Sequence, residues 1–257
     1  MATRAGLGYV SPPNPNANTC ILNKADTGSP ASHRYFLARR TVCEMLRDRG
    51  CVIDDSELTR SLSEFRSVFG DQPDPETLRI CAPLVSKPFK KVRVRQTIIV
   101  MMMMMMMMMM MMMSSSASDV LVVFCGPEEI NKAKAKFILL NIPNKESLHR
   151  IIIVLGGKMN HFARAEFELC EVKVEVFPIT ELIVNITKHV TMPKHEILTP
   201  EEKKQLLVKL KLADNQMPYM METDAIARYY GLEKKQVVKI TYNSQITGSF
   251  VTYRCVK

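Results

Sequence analysis

Two kinds of hydrophobic spacing divide this chain. Tyr35, Ala38, Val42, Met45 and Leu46 recur at i, i+3, i+7, i+10 and i+11, the stripe of one helical face, with Ser32 placed as N-cap and Gly50 as stop. Between them lie Arg34, Arg39, Arg40, Arg47 and Arg49, which the spacing assigns to a solvated face; the sharper reading is an acidic or phosphate-bearing partner. Leu58, Leu62, Phe65 and Phe69 predict a second helix that stops at Gly70. Short apolar runs follow at 78–85, 120–125, 151–155 and 172–177 and read as strands, with helical patterns at 128–141 and 160–170 between them. Strands nearly continuous in Ile and Val, separated by helices, predict a buried sheet flanked by helices.

The spacing changes after residue 188. Thr199-Pro200-Glu201-Glu202 is a capping box with proline at the first helical position. A short helix is bounded by Asp224 as N-cap and Gly231 as C-terminal stop. Two alternating strands, 236–242 and 249–255, flank the polar turn Asn243-Ser244-Gln245. The expected class is therefore α+β. A tail over 1–30 precedes an N-terminal α/β domain over 31–188, and a small α+β domain over 189–257 ends in a hairpin.

Composition narrows the function classes. Charged residues at 24% of the chain argue against wholesale disorder, and no stretch outside the methionine run 101–113 is long or apolar enough to span a bilayer, which excludes the membrane classes. Thirty-five Lys+Arg against 26 Asp+Glu give a net charge of +9, enough for weak, non-specific attraction to phosphate or an acidic surface. Seven cysteines with no CxxC pair oppose a disulfide framework or a zinc ribbon; buried reduced thiols in an intracellular protein are expected. The Gly-, Pro- and Asn-rich start lacks a signal-peptide run and reads as a disordered tail.

Catalytic patterns are sparse. Gly156-Gly157 lacks the Lys-Ser/Thr of a phosphate loop, and no G-x-S-x-G elbow occurs. His189 and His195 are six apart with Pro193 between them, so they read as surface or capping groups. A metal-dependent nuclease of the PD-(D/E)xK type would need Asp74, Glu171 and Lys173 to converge, but Asp74 and Glu171 are nearly 100 residues apart, a poor spacing for adjacent strands. Lys158, Asn160, His161 and Arg164 cluster at a strand-to-helix loop. Asn160 is placed to cap the helix, and the other three point outward beside its positive end, which suits phosphate. The alternative is a plain capped turn with solvated basic groups.

Four stretches carry a family resemblance: ELIVNITKHV (181–190), ILTPEEKKQLL (197–207), DAIARYYGLEKKQVVKI (224–240) and FVTYRCV (250–256). Together they resemble the fifth shared subunit of eukaryotic nuclear RNA polymerases. The last 69 residues are also similar to its archaeal counterpart, which consists of this domain alone, and SHRYFLARRTVCEMLRDRG (32–50) looks like the first helix of the eukaryotic jaw domain. The resemblance implies a nuclear, non-catalytic subunit without cofactor, metal, membrane or small-molecule substrate. Its jaw domain, a nuclease-like sheet flanked by helices, would sit beside downstream duplex DNA, placing Lys158, Asn160, His161 and Arg164 near that DNA. Its assembly domain would dock on the largest subunit among other polymerase subunits, through Arg228, Tyr229 and Tyr230 with Gln236 and Lys239. At least one of the first three is expected to be internal.

Departures from the family pattern refine this. Ala225 stands for a usual proline, and Lys235 for a usual glycine. Pro218-Tyr219-Met220 lacks a usual arginine, and Asn160-His161-Phe162-Ala163 replaces T-P-x-A. The segment 242–249 loses two basic positions. The altered set is similar to the plant variant in RNA polymerase V, which transcribes noncoding RNA for RNA-directed DNA methylation and gene silencing. The alternatives are the general subunit shared by polymerases I, II and III, a free adaptor, and a PD-(D/E)xK nuclease.

The run 101–113, followed by Ser114-Ser115-Ser116, has no patterning a fold could use. A Met-rich docking surface is one reading and a disordered insertion another. A third comes from back-translation: Val92-Arg93 can be encoded by a donor-like GTAAGN, and Ser118-Asp119 by an acceptor-like TCAGAT. Excision of 92–118 is in frame, so the segment reads as a retained intron or gene-model error. Transcripts sequenced across this region are expected to include a form joining Lys91 to Asp119. Transcripts of the long form alone would contradict that reading.

Overall fold

The computed structural model describes residues 28–84, 119–143, 145–213, 216–244 and 248–257. The methionine run, Cys20 and almost all of the expected tail lie outside them. Helix α1 (Pro30–Asp48) begins earlier than the stripe alone suggests. Ser29 is its N-cap, accepting from Ala31 N, and Pro30 occupies the first turn, where its missing N–H costs nothing. Ser32 is instead fully buried: its hydroxyl donates to Ser29 O at 2.8 Å and accepts from Arg66 Nε at 2.9 Å. Tyr35, Ala38, Val42, Met45 and Leu46 all face the core as their spacing requires.

The arginine face is not uniformly solvated. Arg39 pairs with Glu57, donates to Leu78 O at 2.7 Å and lies over the Phe69 ring; Arg49 turns inward. The second predicted helix is two, α2 (Asp55–Thr59) and α3 (Leu62–Phe69). Ser61 and Glu64 form a reciprocal capping box that restarts the helix after Arg60, and Gly70 closes it at φ 80°.

The first sheet runs β1 (Ile80–Pro83), β2 (Asp119–Phe124), β3 (Leu148–Leu155) and β4 (Lys173–Pro178), in that spatial order. β1 is antiparallel to β2, and β2, β3 and β4 are mutually parallel. Helices α4 (Lys132–Leu140) and α5 (His161–Glu168) make the crossovers. Both sheet faces are covered, which explains the unbroken Ile151–Val154 run. Val122, Phe124, Ile152 and Val154 pack with α1, while Leu121, Val123, Ile151 and Ile153 pack under α4 and α5.

The second sheet has the order β5 (Lys194–Ile197), β7 (Val237–Ser244), β8 (Gly248–Val256) and β6 (Tyr219–Met220). Helix α6 (Pro200–Leu210) starts on the expected Thr199/Glu202 capping box, and α7 (Ala225–Tyr230) runs from Asp224 to a left-handed Gly231. The final hairpin is longer than predicted. Asn243 and Ser244, expected in the turn, still pair across it with Ser249 and Gly248, and Gln245 lies outside the described residues. Together these are the expected α+β elements: helices with two mixed sheets.

Cys43, Cys51 and Cys125 are buried free thiols, and burial raises the pKa of Cys43 and Cys125 to about 11. Cys170 and Cys255 are half-buried and Cys81 is exposed, so the expected burial holds for three of the six cysteines among the described residues, all six free. β1 and β2 form one antiparallel pair with Pro83 opposite Asp119.

Candidate functional site

Helix α7 carries the residues expected to dock on a partner. Asp224 Oδ1 accepts from Ile226 N at 2.9 Å to start it. At its other end, carbonyls that a helix leaves unpaired meet two arginines from the first half of the chain. Arg49 donates from Nε to Tyr229 O at 2.8 Å and from Nη2 to Arg228 O at 2.7 Å. Arg150, on β3, donates from Nη1 to Gly231 O at 2.9 Å. Two cations thus sit at the negative end of the helix, where its dipole favours them.

Glu175, on β4, lies between the two guanidiniums. Its Oε2 is 2.8 Å from Arg49 Nη2, and its Oε1 accepts from Arg150 Nη1. The Arg49 side chain is 6% exposed, and its burial works to lower the guanidinium pKa while Glu175 works to raise it; the net direction is down. Gly231 fits because it has no side chain: at φ 61°, a Cβ would lie 2.2 Å from Arg150 Nη1.

Arg228 reaches back across this junction. Its Nη1 is 2.7 Å from Glu181 Oε2, its Nη2 donates to Val176 O at 2.8 Å, and its guanidinium lies 4.6 Å from the Phe177 ring centroid. Tyr229 is 4% exposed; its hydroxyl donates to Asp48 Oδ2 at 2.8 Å and accepts from Asn185 Nδ2 at 3.2 Å. Burial pushes the Tyr229 phenol pKa well up. Asn185 Nδ2 also donates to Glu44 Oε2, and Lys188 Nζ lies 2.6 Å from Glu44 Oε1. Burial works to raise the Glu44 pKa, but these two hydrogen bonds outweigh it and the net direction is down. Ionised Glu44 therefore stabilises this junction above the ordinary carboxylate range, and that contribution is lost as pH falls through its lowered pKa.

Tyr229 is therefore buried at the junction of the two sheets, and the partly exposed Arg228 is engaged there by Glu181 and the Val176 carbonyl. Tyr230 is half-buried, stacks edge-on against Tyr229 at 5.1 Å, and lines an open groove of about 870 Å³ with His195, Thr241 and Tyr242. Gln236 accepts from Glu233 N at 3.1 Å, and Lys239 pairs with Glu196 at 2.9 Å across β5 and β7. Arg49, expected on a solvated face, is buried instead, and Arg150 and Glu175 escaped sequence reasoning. Their signal was phase: Arg150 shares a strand face with Ile152 and Val154, and Glu175 shares one with Phe177.

The DNA-side candidates occupy one loop end. The loops after β2 and β3 are bridged at Ile130 and Met159, with Ile130 N donating to Lys158 O and Asn160 N to Ile130 O. A Cβ on Gly157 would sit 2.2 Å from Pro127 O, so glycine permits this approach. Asn160 Oδ1 accepts from Phe162 N at 3.4 Å, capping α5 as expected. Lys158, His161 and Arg164 are exposed around it. The nuclease constellation does not assemble: Asp74 caps the turn before β1 and Glu171 precedes β4, at opposite edges of the sheet. No group of three metal-ligating side chains occurs among the described residues.

Two family models match this chain: RNA polymerase Rpb5, N-terminal domain, over residues 29–142, and RNA polymerase Rpb5, C-terminal domain, over 184–256. The DNA-directed RNA polymerase V subunit 5C of Arabidopsis thaliana is 47% identical over 241 residues, covering 94% of this chain and 91% of the relative. The chain belongs to the Rpb5 family. Subunit 5A of the same polymerase and organism is 38% identical over 92% of this chain and 94% of the relative. The RPABC1 subunit of RNA polymerases I, II and III of Caenorhabditis elegans is 32% identical over 88% and 96%. The C-terminal Rpb5 match includes α7 and its caps. Arg150 and Glu175 fall between the two matched regions.

Replacing Glu175 with glutamine would remove the carboxylate that lies between two buried guanidiniums, leaving only the half-exposed Glu233 near Arg150. Glu175→Gln is expected to cost about 3 kcal/mol in urea unfolding, while exposed Glu168→Gln changes stability by less than about 0.5 kcal/mol. Equal stability of the two variants would show that the charge cluster does not hold the junction.

Proposed function

We propose that this chain is a non-catalytic subunit of nuclear DNA-dependent RNA polymerase, working in the RNA polymerase V machinery of RNA-directed DNA methylation. The observation that carries this reading is the gap between 47% identity to the polymerase V subunit 5C and 32% to RPABC1 of polymerases I, II and III, both over most of each chain. The scattered placement of Asp74 and Glu171 supports a structural rather than a nucleolytic role.

In this reading the domain over 189–257 docks on the largest subunit. The internal use of Arg228 and Tyr229 shifts that role to the groove beside Tyr230, with Tyr242 on its wall and Lys239 and Gln236 in the same domain. An aromatic-lined groove suits this work, because rigid rings bury large area at low entropic cost. The domain over 31–188 forms the jaw. Its loop end offers Lys158, His161 and Arg164 to the phosphates of downstream duplex DNA, a weak and sequence-independent attraction.

Affinity purification of the tagged chain from nuclei tests the assignment, with mass spectrometry of the recovered largest subunits. The polymerase V largest subunit is expected without those of polymerases I, II and III, and Tyr230→Ala with Tyr242→Ala is expected to reduce its recovery at least fivefold. Recovery of every largest subunit would make this the general shared subunit. Recovery of none would favour a free adaptor.

A further inference from the structure

The two edges of the second sheet differ in character. The groove beside Tyr230 flanks β5, at one edge. At the other edge, the two-residue strand β6 pairs with β8 only at Cys255 and Val256. A second groove of about 490 Å³ lies there, with Met217 and Tyr219 in its floor and Lys203, Lys234, Lys235 and Lys257 around it.

Among the described residues, no aspartate or glutamate lines this groove. The carboxylates nearest in sequence are committed elsewhere. Glu233 faces Arg150 at 3.4 Å on the interdomain side, and Glu202 accepts from Thr199 N at 2.9 Å in its capping box. Lys203 Nζ donates to Lys235 O at 3.2 Å, fixing the start of α6 against the turn before β7. Lys257 Nζ lies 5.4 Å from the centroid of the Tyr219 ring, itself 61% exposed. Positive charge is therefore in excess around a partly apolar floor.

We propose that this groove binds an acidic, extended peptide segment of a protein partner, separately from the groove beside Tyr230. Three features select that occupant. The lysines ask for carboxylates, and the charge complementarity sets orientation and on-rate. The Met217 and Tyr219 floor accepts an apolar side chain flanked by those carboxylates, which a sugar-phosphate backbone does not supply. The edge strand β6 offers main-chain pairing to an added strand. The proposal does not depend on which polymerase holds the chain, because the purified chain alone suffices to test it.

The test uses fluorescence anisotropy of the full chain with a labelled peptide, EEDLVEEDE, and with its Gln/Asn counterpart QQNLVQQNQ. The acidic peptide is expected to bind with a salt-dependent affinity that falls at least tenfold in the Lys234→Gln, Lys235→Gln, Lys257→Gln variant. It should also fall at least threefold in Tyr219→Ala, and stay within twofold in Lys158→Gln, Arg164→Gln. Thermal unfolding checks that each variant is folded. Equal binding of the two peptides, or no loss in the triple variant, would overturn the proposal. An equal loss in the Lys158, Arg164 variant would reduce it to attraction by net charge. Tighter binding of a short DNA duplex through the same three lysines would make the groove a nucleic-acid site and end the peptide assignment.

Discussion

Two arginines sharing one glutamate hold this molecule together. Arg49 ends the first long helix, and Arg150 and Glu175 stand on adjacent parallel strands. The arginines donate to the last carbonyls of a six-residue helix that is far too short to persist alone. The helix therefore exists in the form seen because the other half of the chain terminates it. A buried ion pair seldom adds much net stability over apolar packing, but removing one member is severe. Such a cluster fixes geometry, and here the geometry is the angle between two sheets.

That constraint explains how a family sequence signature divides its labour. IARYYGL contains three consecutive side chains with three fates. Arg228 covers the open edge of β4 at the Val176 carbonyl, Tyr229 fills the junction, and Tyr230 turns to the groove outside. A subunit proposed to bridge a large partner and DNA needs its two ends held in register. A stiff joint serves that purpose better than a flexible linker, whose ends explore a broad range of separations.

Much of the fold was legible because it rests on period and capping. The stripe from Tyr35 to Leu46, the Ile151–Val154 run, the Thr199/Glu202 box and the Asp224/Gly231 pair all act locally, so the sequence carries their signals. The misplaced helix start and the break at Ser61 were also local. Ser29-Pro30 and Ser61-x-x-Glu64 are ordinary signals that the longer hydrophobic stripes overshadowed. The site was less legible. Arg39 and Arg49 read as solvated because a single helix offers no view of Glu57 or Glu175. Arg228 and Tyr229 carried a family signature, but a signature does not say whether the partner lies in another chain or in this one.

Native-state hydrogen exchange tests the joint most directly. The amides of Arg228 and Leu232, bonded to Asp224 O and Ala227 O at the two ends of α7, should open with the same free energy as that of Ile152 in β3. One shared value is what a single cooperative unit held by the Arg49–Glu175–Arg150 cluster predicts. Exchange of the α7 amides at distinctly lower free energy than Ile152 would mean that the second sheet and its helix detach independently, and the account of the joint would fail.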